Sequence, residues 1–172
     1  MRSVITNGFP KTGNHALVRA CELLGIPAQV RHDPFKDQVR TVDHIHIRRD
    51  PRNILVSWLR MEGKPVTPGT FLAAFRMFQS ASLVEEMAHF EPWLKHAGLN
   101  VSYEDLIASD REMRRIAEFA GVPYIEGGWE ELPGLTYTWN AEHSDYQAVW
   151  TPLVRDVWNS EGGKELLVRW GY

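Results

Sequence analysis

The sequence predicts an α/β protein, a three-layer α/β/α domain with a central parallel sheet. Short β-branched runs alternate with segments of helical periodicity, the order that sets strands parallel and covers both sheet faces with helices. Turn residues follow each run. At 172 residues, 44% hydrophobic and 24% charged, the chain is long enough to bury one sizeable core. A single domain over residues 1–172 is expected, because no internal repeat, low-complexity tract or linker interrupts it.

Val4, Ile5 and Thr6 form the first strand, closed by Asn7 and Gly8. Ala16, Leu17, Ala20, Leu23 and Leu24 fall on one helix face, which Gly25 and Pro27 end. AQVRHD (28–33) and TVDHIHI (41–47) read as the next two strands. PRNILVSWLRM is a helix whose Pro51 suits the first turn. A loop rich in proline and glycine covers about 62–70. From Phe71 to His96 the pattern is helical, with Phe71, Leu72, Phe75 and Phe78 on one stripe, Glu85 and Glu86 on a solvated face and a break near Pro92. LNVSY is the fourth strand, which puts Tyr103 on the side of Leu99 and Val101 and makes it a core candidate. DREMRRIAEFAG is a capped helix with Met113, Ile116, Ala117 and Ala120 inward. Residues 122–150 are less regular; their aromatics Trp129, Tyr137, Trp139, Tyr146 and Trp150 divide between core and pocket wall. A final helical segment runs through Leu153, Val157, Leu166, Leu167 and Trp170.

The net charge of −3 and pI near 6.2 give no global attraction for nucleic acid or an anionic membrane, so any basic site is local. One cysteine, Cys21, excludes a disulfide framework and a cysteine metal site, and fits a reducing compartment. The N-terminus lacks a signal-type apolar core and no segment has the length of a membrane span, so a cytoplasmic location is expected.

The stretch GFPKTGNH (8–15) lies between the first strand and the first helix. Gly8 and Gly13 have the spacing of the phosphate-binding loop G-x-x-x-x-G-K-[ST], whose amides cradle phosphates, whose lysine reaches the β/γ-phosphates and whose hydroxyl holds Mg²⁺. Asn14 stands at the lysine position and His15 at the hydroxyl position. An anion cradle survives: the glycines, the amides of about residues 12–15 and the positive end of the following helix. Lys11 has moved to the front of the loop. That arrangement suits one phosphate-type group at the 5′ position of a nucleotide; alone, it equally fits a turn with an exposed lysine.

A second element supports the anion reading. The third strand runs into Arg48, Arg49 and Asp50 and then at once into a helix, again setting cations at a helix N-terminus, with Ser57 about two turns in. Arg48, Arg49 and Arg52 lack a wider basic face, so a small anion accounts for them better than nucleic acid.

With these two elements in place, the chain resembles the sulfotransferases that use 3′-phosphoadenylyl sulfate (PAPS). Pro10-Lys11-Thr12-Gly13 matches that family's P-K-[ST]-G loop for the 5′-phosphosulfate. Arg49-Asp50-Pro51 with Ser57 matches R-x-P-x-x-x-x-x-S, which holds the 3′-phosphate. Ser102-Tyr103-Glu104-Asp105-Leu106 is similar to its Y-E-D-L segment, whose tyrosine approaches the adenine. SDYQAVWTP is similar to G-D-W-x-x-x-x-T, and Trp170-Gly171-Tyr172 to its L-G-Y close. The similarities span nearly the whole chain in family order. Departures are Asn14 and His15 for two hydroxyl residues, Ala16 for the adenine-stacking tryptophan, and Glu142, His143 and Ser144 where an R-K-G triplet is common.

The resemblance implies a P-loop nucleotide-binding, sulfotransferase-like fold, PAPS as donor, 3′-phosphoadenosine 5′-phosphate (PAP) as product and no metal. It implies donor contacts from Pro10, Lys11, Thr12, Gly13, Asn14, His15, Arg49, Ser57 and Tyr103. Lys11 would stabilise the leaving phosphate and Ser57 would restrain that lysine before the acceptor arrives. Arg31-His32-Asp33-Pro34 occupies the slot of the family's K-[TS]-H-x-P segment, which makes His32 the base; imidazole suits proton transfer near neutrality. A surface histidine capping Asp33-Pro34 is the plainer reading, and Asp33 or Glu104 are the carboxylate alternatives. His15 touches the phosphosulfate or caps its helix, two readings the sequence does not separate. His44 and His46 share one strand face with no third zinc ligand evident, which fits sheet packing.

The expected reaction is sulfuryl transfer to a hydroxyl or amine of a small-molecule or carbohydrate acceptor, with no nucleic acid or membrane partner. A small P-loop nucleotide kinase is the alternative enzyme, and a nucleotide-binding module without catalysis the third reading. Acceptor-walling segments are short, at about 33–41, 62–70 and 122–150. A shallow pocket, or one completed by a homo-oligomer, is expected.

Overall fold

The computed structural model describes residues 3–36, 43–132 and 145–172. They form two compact units, one from Met1–Arg49 with Trp93–Glu142, the other from Asp50–Pro92 with His143–Tyr172.

The first unit holds a parallel four-stranded sheet: β1 (Val4–Asn7), β2 (Ala28–Arg31), β3 (His44–Arg48) and β4 (Leu99–Ser102), in the order β2-β1-β3-β4. Ile5 pairs with His44 and Ile45 with Leu99. Parallel strands need crossovers, and helices supply them: α1 (Asn14–Leu23) follows β1. The apolar face of α1 predicted from Ala16, Leu17 and Ala20 packs with Ile45, Ile47 and Val101 and with Met113, Ile116 and Ala117 of α7 (Arg111–Ala120) in one core. Complete burial of Ile45 and Ile47 contributes roughly 1.5–3 kcal/mol each.

Alternation along β3 sends His44 and His46 to the opposite face. There Trp93, opening the short α5 (Trp93–His96), stacks on His44 at 4.7 Å and His46 at 6.4 Å between ring centroids. The two histidines therefore pack the sheet, and no group of three metal-ligating side chains occurs among the described residues. Burial drives His46 down to about 3, against a hydrogen bond with the Asn7 backbone that favours its charged form.

That depression has a sign in the stability. Below pH 6.5 the unfolded chain takes up a proton on His46 that the native protein refuses, so stability present above 6.5 is lost as pH falls toward 3, by about 1.4 kcal/mol per unit. Unfolding midpoints measured against pH should fall less steeply for His46→Gln, by about one proton's worth; parallel slopes would refute the assignment. Cys21 is buried on the same unit's core side, its thiol pushed up to about 12 by burial and by Glu22, and is chemically inert.

The second unit is helical. α2 (Pro51–Met61) starts on Asp50, whose carboxylate accepts from the Arg52 amide. α3 (Pro68–Arg76) starts on a Thr67 capping box with Pro68 in the first turn, which trims the predicted loop by three residues. The helix predicted onward to Pro92 instead stops at Arg76, and α4 (Leu83–Ala88) begins afresh on a Ser82–Glu85 capping box. Glu85 is exposed on α4, as the solvated face implies, and also completes that cap. The last predicted helix is two, α8 (Pro152–Ser160) and α9 (Gly163–Trp170), parted at Gly162 with φ 89°. Trp158 packs on Phe75 at 4.4 Å and lies over Gly163, where a Cβ would sit 2.3 Å from its ring. Val154, Trp158, Gly163, Leu166 and Trp170 are the buried positions, Val157 and Leu167 are half-buried, and Leu153 is 69% exposed.

Tyr103 is core, 4% exposed, but the strand expected to reach it ends one residue earlier. The chain turns at Ser102, whose hydroxyl accepts from the Asp105 amide, and Tyr103 opens helix α6 (Tyr103–Ala108) instead of ending β4. Tyr137, Trp139, Glu142, His143 and Ser144 lie outside the described residues. Among the described residues no helix is long and apolar enough to cross a membrane.

Candidate functional site

β1 delivers the chain into the loop of residues 8–13, which returns as α1. Gly8 is required there because a Cβ would meet Thr12 Oγ1 at 2.5 Å and the Ile47 carbonyl at 2.8 Å. Phe9, 1% exposed, anchors the loop in the core. Thr12 is fully buried and donates both its amide (3.1 Å) and its hydroxyl (2.7 Å) to the Phe9 carbonyl. Its amide is thus spent on closing the turn, and the cradle expected from residues 12–15 begins at Gly13. No side chain caps α1, whose N-cap Gly13 sits at φ 104°. First-turn amides have no acceptor inside their own helix and carry the positive end of its dipole.

Lys11 is the one non-glycine among the described residues with positive φ, 69°. A left-handed lysine costs about 1–2 kcal/mol, so tertiary contacts must hold it. Arg49, only 6% exposed, donates from Nη1 to the Lys11 carbonyl at 3.1 Å and lies 4.2 Å over the Tyr103 ring. That ring fills the space a side chain at Gly13 would need, 2.3 Å from a Cβ there. Arg49, Tyr103 and Gly13 form the support beneath the loop. Burial and the neighbouring Arg49 charge lower the Lys11 pKa.

His32 follows β2. Its Nδ1 is 2.9 Å from the Gly8 carbonyl and 3.1 Å from Asn14 Nδ2. Asn7, fully buried, clamps the next residue from both sides: its Nδ2 donates to the Asp33 carbonyl and its Oδ1 accepts from the Asp33 amide, each at 3.1 Å. Trp93 Nε1 donates to the same Asp33 carbonyl at 3.0 Å. His32 is exposed, as a surface histidine would be, but the residue that follows it is tied down by three hydrogen bonds. His15, exposed on the first turn of α1, has its pKa lowered by partial burial and then by His32 and Lys11, which groups the three basic side chains at one end of the sheet.

Asn14 can make its expected donor contact through its backbone amide alone. It is 2% exposed, and its side chain turns inward to the carbonyls of Arg31 (3.0 Å) and Gly8 (3.3 Å). Pro10, Lys11, Thr12, Gly13, Asn14, His15, His32, Arg49 and Tyr103 all belong to the first unit; Ser57, half-buried on α2, belongs to the second. In that second unit Arg52 pairs with Asp50 at 2.6 Å and covers the Tyr146 ring at 4.0 Å, so the arginine cluster divides between separate partners. Asn7 reads in the sequence only as the close of the first strand, and Trp93 carries no signal beyond the helical pattern of 71–96.

No family model and no curated protein matches the sequence. Among solved structures, the chain is similar to mouse sulfotransferase SULT7A1 complexed with PAP, with a TM-score of 0.71 and 14% identity over 96% of this chain and 84% of that one. The fold is sulfotransferase-like, a central all-parallel sheet flanked by helices.

Proposed function

We propose that this protein transfers a sulfuryl group from PAPS to a hydroxyl or amine acceptor. The observation that carries the reading is Lys11, held at φ 69° in front of a helix N-terminus that no side chain caps, within a sulfotransferase-like fold. Loop and helix end fit one phosphate-type group, and Asn14 and His15 leave no Mg²⁺–triphosphate equipment of the kinase kind. The PAP bound to mouse SULT7A1 is the desulfated form of the same donor.

PAPS brings a sulfur already joined to a good leaving group, the 5′-phosphate. His32 takes the acceptor proton, and the first-turn amides of α1 orient the phosphosulfate. Lys11 offsets the charge that gathers on the departing phosphate. Arg49 supports the loop from below, and the 3′-phosphate contacts of Arg49 and Ser57 and the adenine contact of Tyr103 rest on the resemblance. A cytoplasmic location belongs to the same proposal, in keeping with Cys21 as a buried thiol.

Calorimetry tests the donor. PAP should bind without Mg²⁺ and more tightly than ATP; tighter, Mg²⁺-dependent ATP binding would favour the kinase reading instead. If PAP binds and no hydroxyl or amine acceptor is ever labelled from radioactive PAPS, the protein is a binding module.

A further inference from the structure

We propose that the Gly8 carbonyl holds the His32 ring with its proton on Nδ1 and its lone pair on Nε2, and that Asn14, bonded to that carbonyl and to the Arg31 carbonyl, is a positioning residue that fixes the carbonyl against the ring. The use made of Nε2 rests on the sulfuryl-transfer reading; the tautomer does not.

The argument is a count of hydrogens. Asn14 Nδ2 carries two, and around it lie the Arg31 carbonyl at 3.0 Å, His32 Nδ1 at 3.1 Å and the Gly8 carbonyl at 3.3 Å. Both carbonyls can only accept, so the amide must present its nitrogen to them. The Gly8 carbonyl also lies 2.9 Å from His32 Nδ1. A bare lone pair on Nδ1 would set two acceptors against each other at that distance. A proton on Nδ1 removes the conflict: it goes to Gly8, while the two Asn14 hydrogens go to Gly8 and Arg31, filling both lone pairs of the Gly8 oxygen. The basic nitrogen is then Nε2.

Asn14 is there for its donors rather than its acceptor. Its Oδ1 is buried with no hydrogen-bond partner among the described residues, a cost that an apolar side chain of similar size would avoid. The geometry also joins the two halves of the chemistry. Gly8 opens the anion-binding loop, so one carbonyl fixes the base relative to the cradle, and Asn14, first residue of α1, ties both to the end of β2. Lys11 and His15 are the other titratable groups grouped here, with Arg31 and Asp33 flanking His32 as an exposed ion pair at 3.6 Å.

Long-range ¹⁵N–¹H correlation of the histidine rings reads the tautomer directly. In the wild-type protein, at a pH where His32 is neutral, the Nδ1–H form is expected. In Asn14→Leu the Gly8 carbonyl still accepts from Nδ1, so the Nδ1–H form should persist, while the carbonyl and ring lose their fixed placement and kcat falls about 10- to 100-fold with PAP affinity within about threefold. Asn14→Thr, with one donor in place of two, serves if the leucine variant does not fold, and should give an intermediate kcat. A wild-type His32 in the Nε2–H form overturns the proposal, as does an Asn14→Leu protein whose kcat is unchanged. If PAP fails to bind, the sulfuryl-transfer reading falls while the ring spectrum still decides the tautomer.

Discussion

Replacing Lys11 by alanine should lower sulfuryl transfer by about a thousandfold while leaving PAP affinity within about tenfold, the pattern of a group that acts on charge developing in the transition state. The residue's backbone makes the comparison unusually clean. At φ 69° alanine pays the same steric penalty as lysine, so the substitution removes the ammonium and leaves loop strain as it was. Lys11→Gly separates the two effects: it should raise folding stability by about 1 kcal/mol by relieving the left-handed strain, yet remain as inactive as Lys11→Ala. Single-turnover transfer from labelled PAPS, alongside urea unfolding, checks both. A fully active Lys11→Ala protein would overturn the role of the lysine.

Gly13→Ala should destabilise the first unit by about 2–4 kcal/mol and abolish nucleotide binding. The methyl group meets two penalties. The backbone at φ 104° disfavours any side chain, about 1–2 kcal/mol, and the Tyr103 ring occupies its space at 2.3 Å, an overpacking cost of similar or larger size. Moving the ring also disturbs Arg49, which lies over it and grips the Lys11 carbonyl. A double-mutant cycle divides the loss, since Tyr103→Leu should recover the steric part and leave the backbone part. Unchanged urea midpoints for Gly13→Ala would contradict the packing described for the loop.

Both predictions turn on residues the sequence singled out, but the sequence did not supply the reasons. Its reading of Tyr103 as the end of a strand followed from Leu99 and Val101 at alternate positions, a local pattern. The N-cap bond from Ser102 to the Asp105 amide ends that pattern one residue early and makes Tyr103 the first residue of a helix. The same happened at Arg76 and at Gly162, where caps and a glycine turn cut longer helical periodicities that apolar spacing alone had joined.

What the sequence determined by itself is the order of strands and helices, the inward faces of α1 and α7, and the positions of Lys11, Arg49 and His32 relative to strand ends. Those features depend on burial and spacing within a dozen residues, which periodicity records. The tertiary structure decided what each polar side chain faces. Asn14 turns away from the cradle to carbonyls at positions 8 and 31; Asn7 and Trp93 pin Asp33 from 26 and 60 residues away; Arg49 spends its guanidinium on the loop's own backbone. Hydrogen bonds form between whichever donors and acceptors folding leaves within about 3 Å. That proximity arises only when β1, β2 and β3 lie side by side, so no local pattern in the chain encodes it.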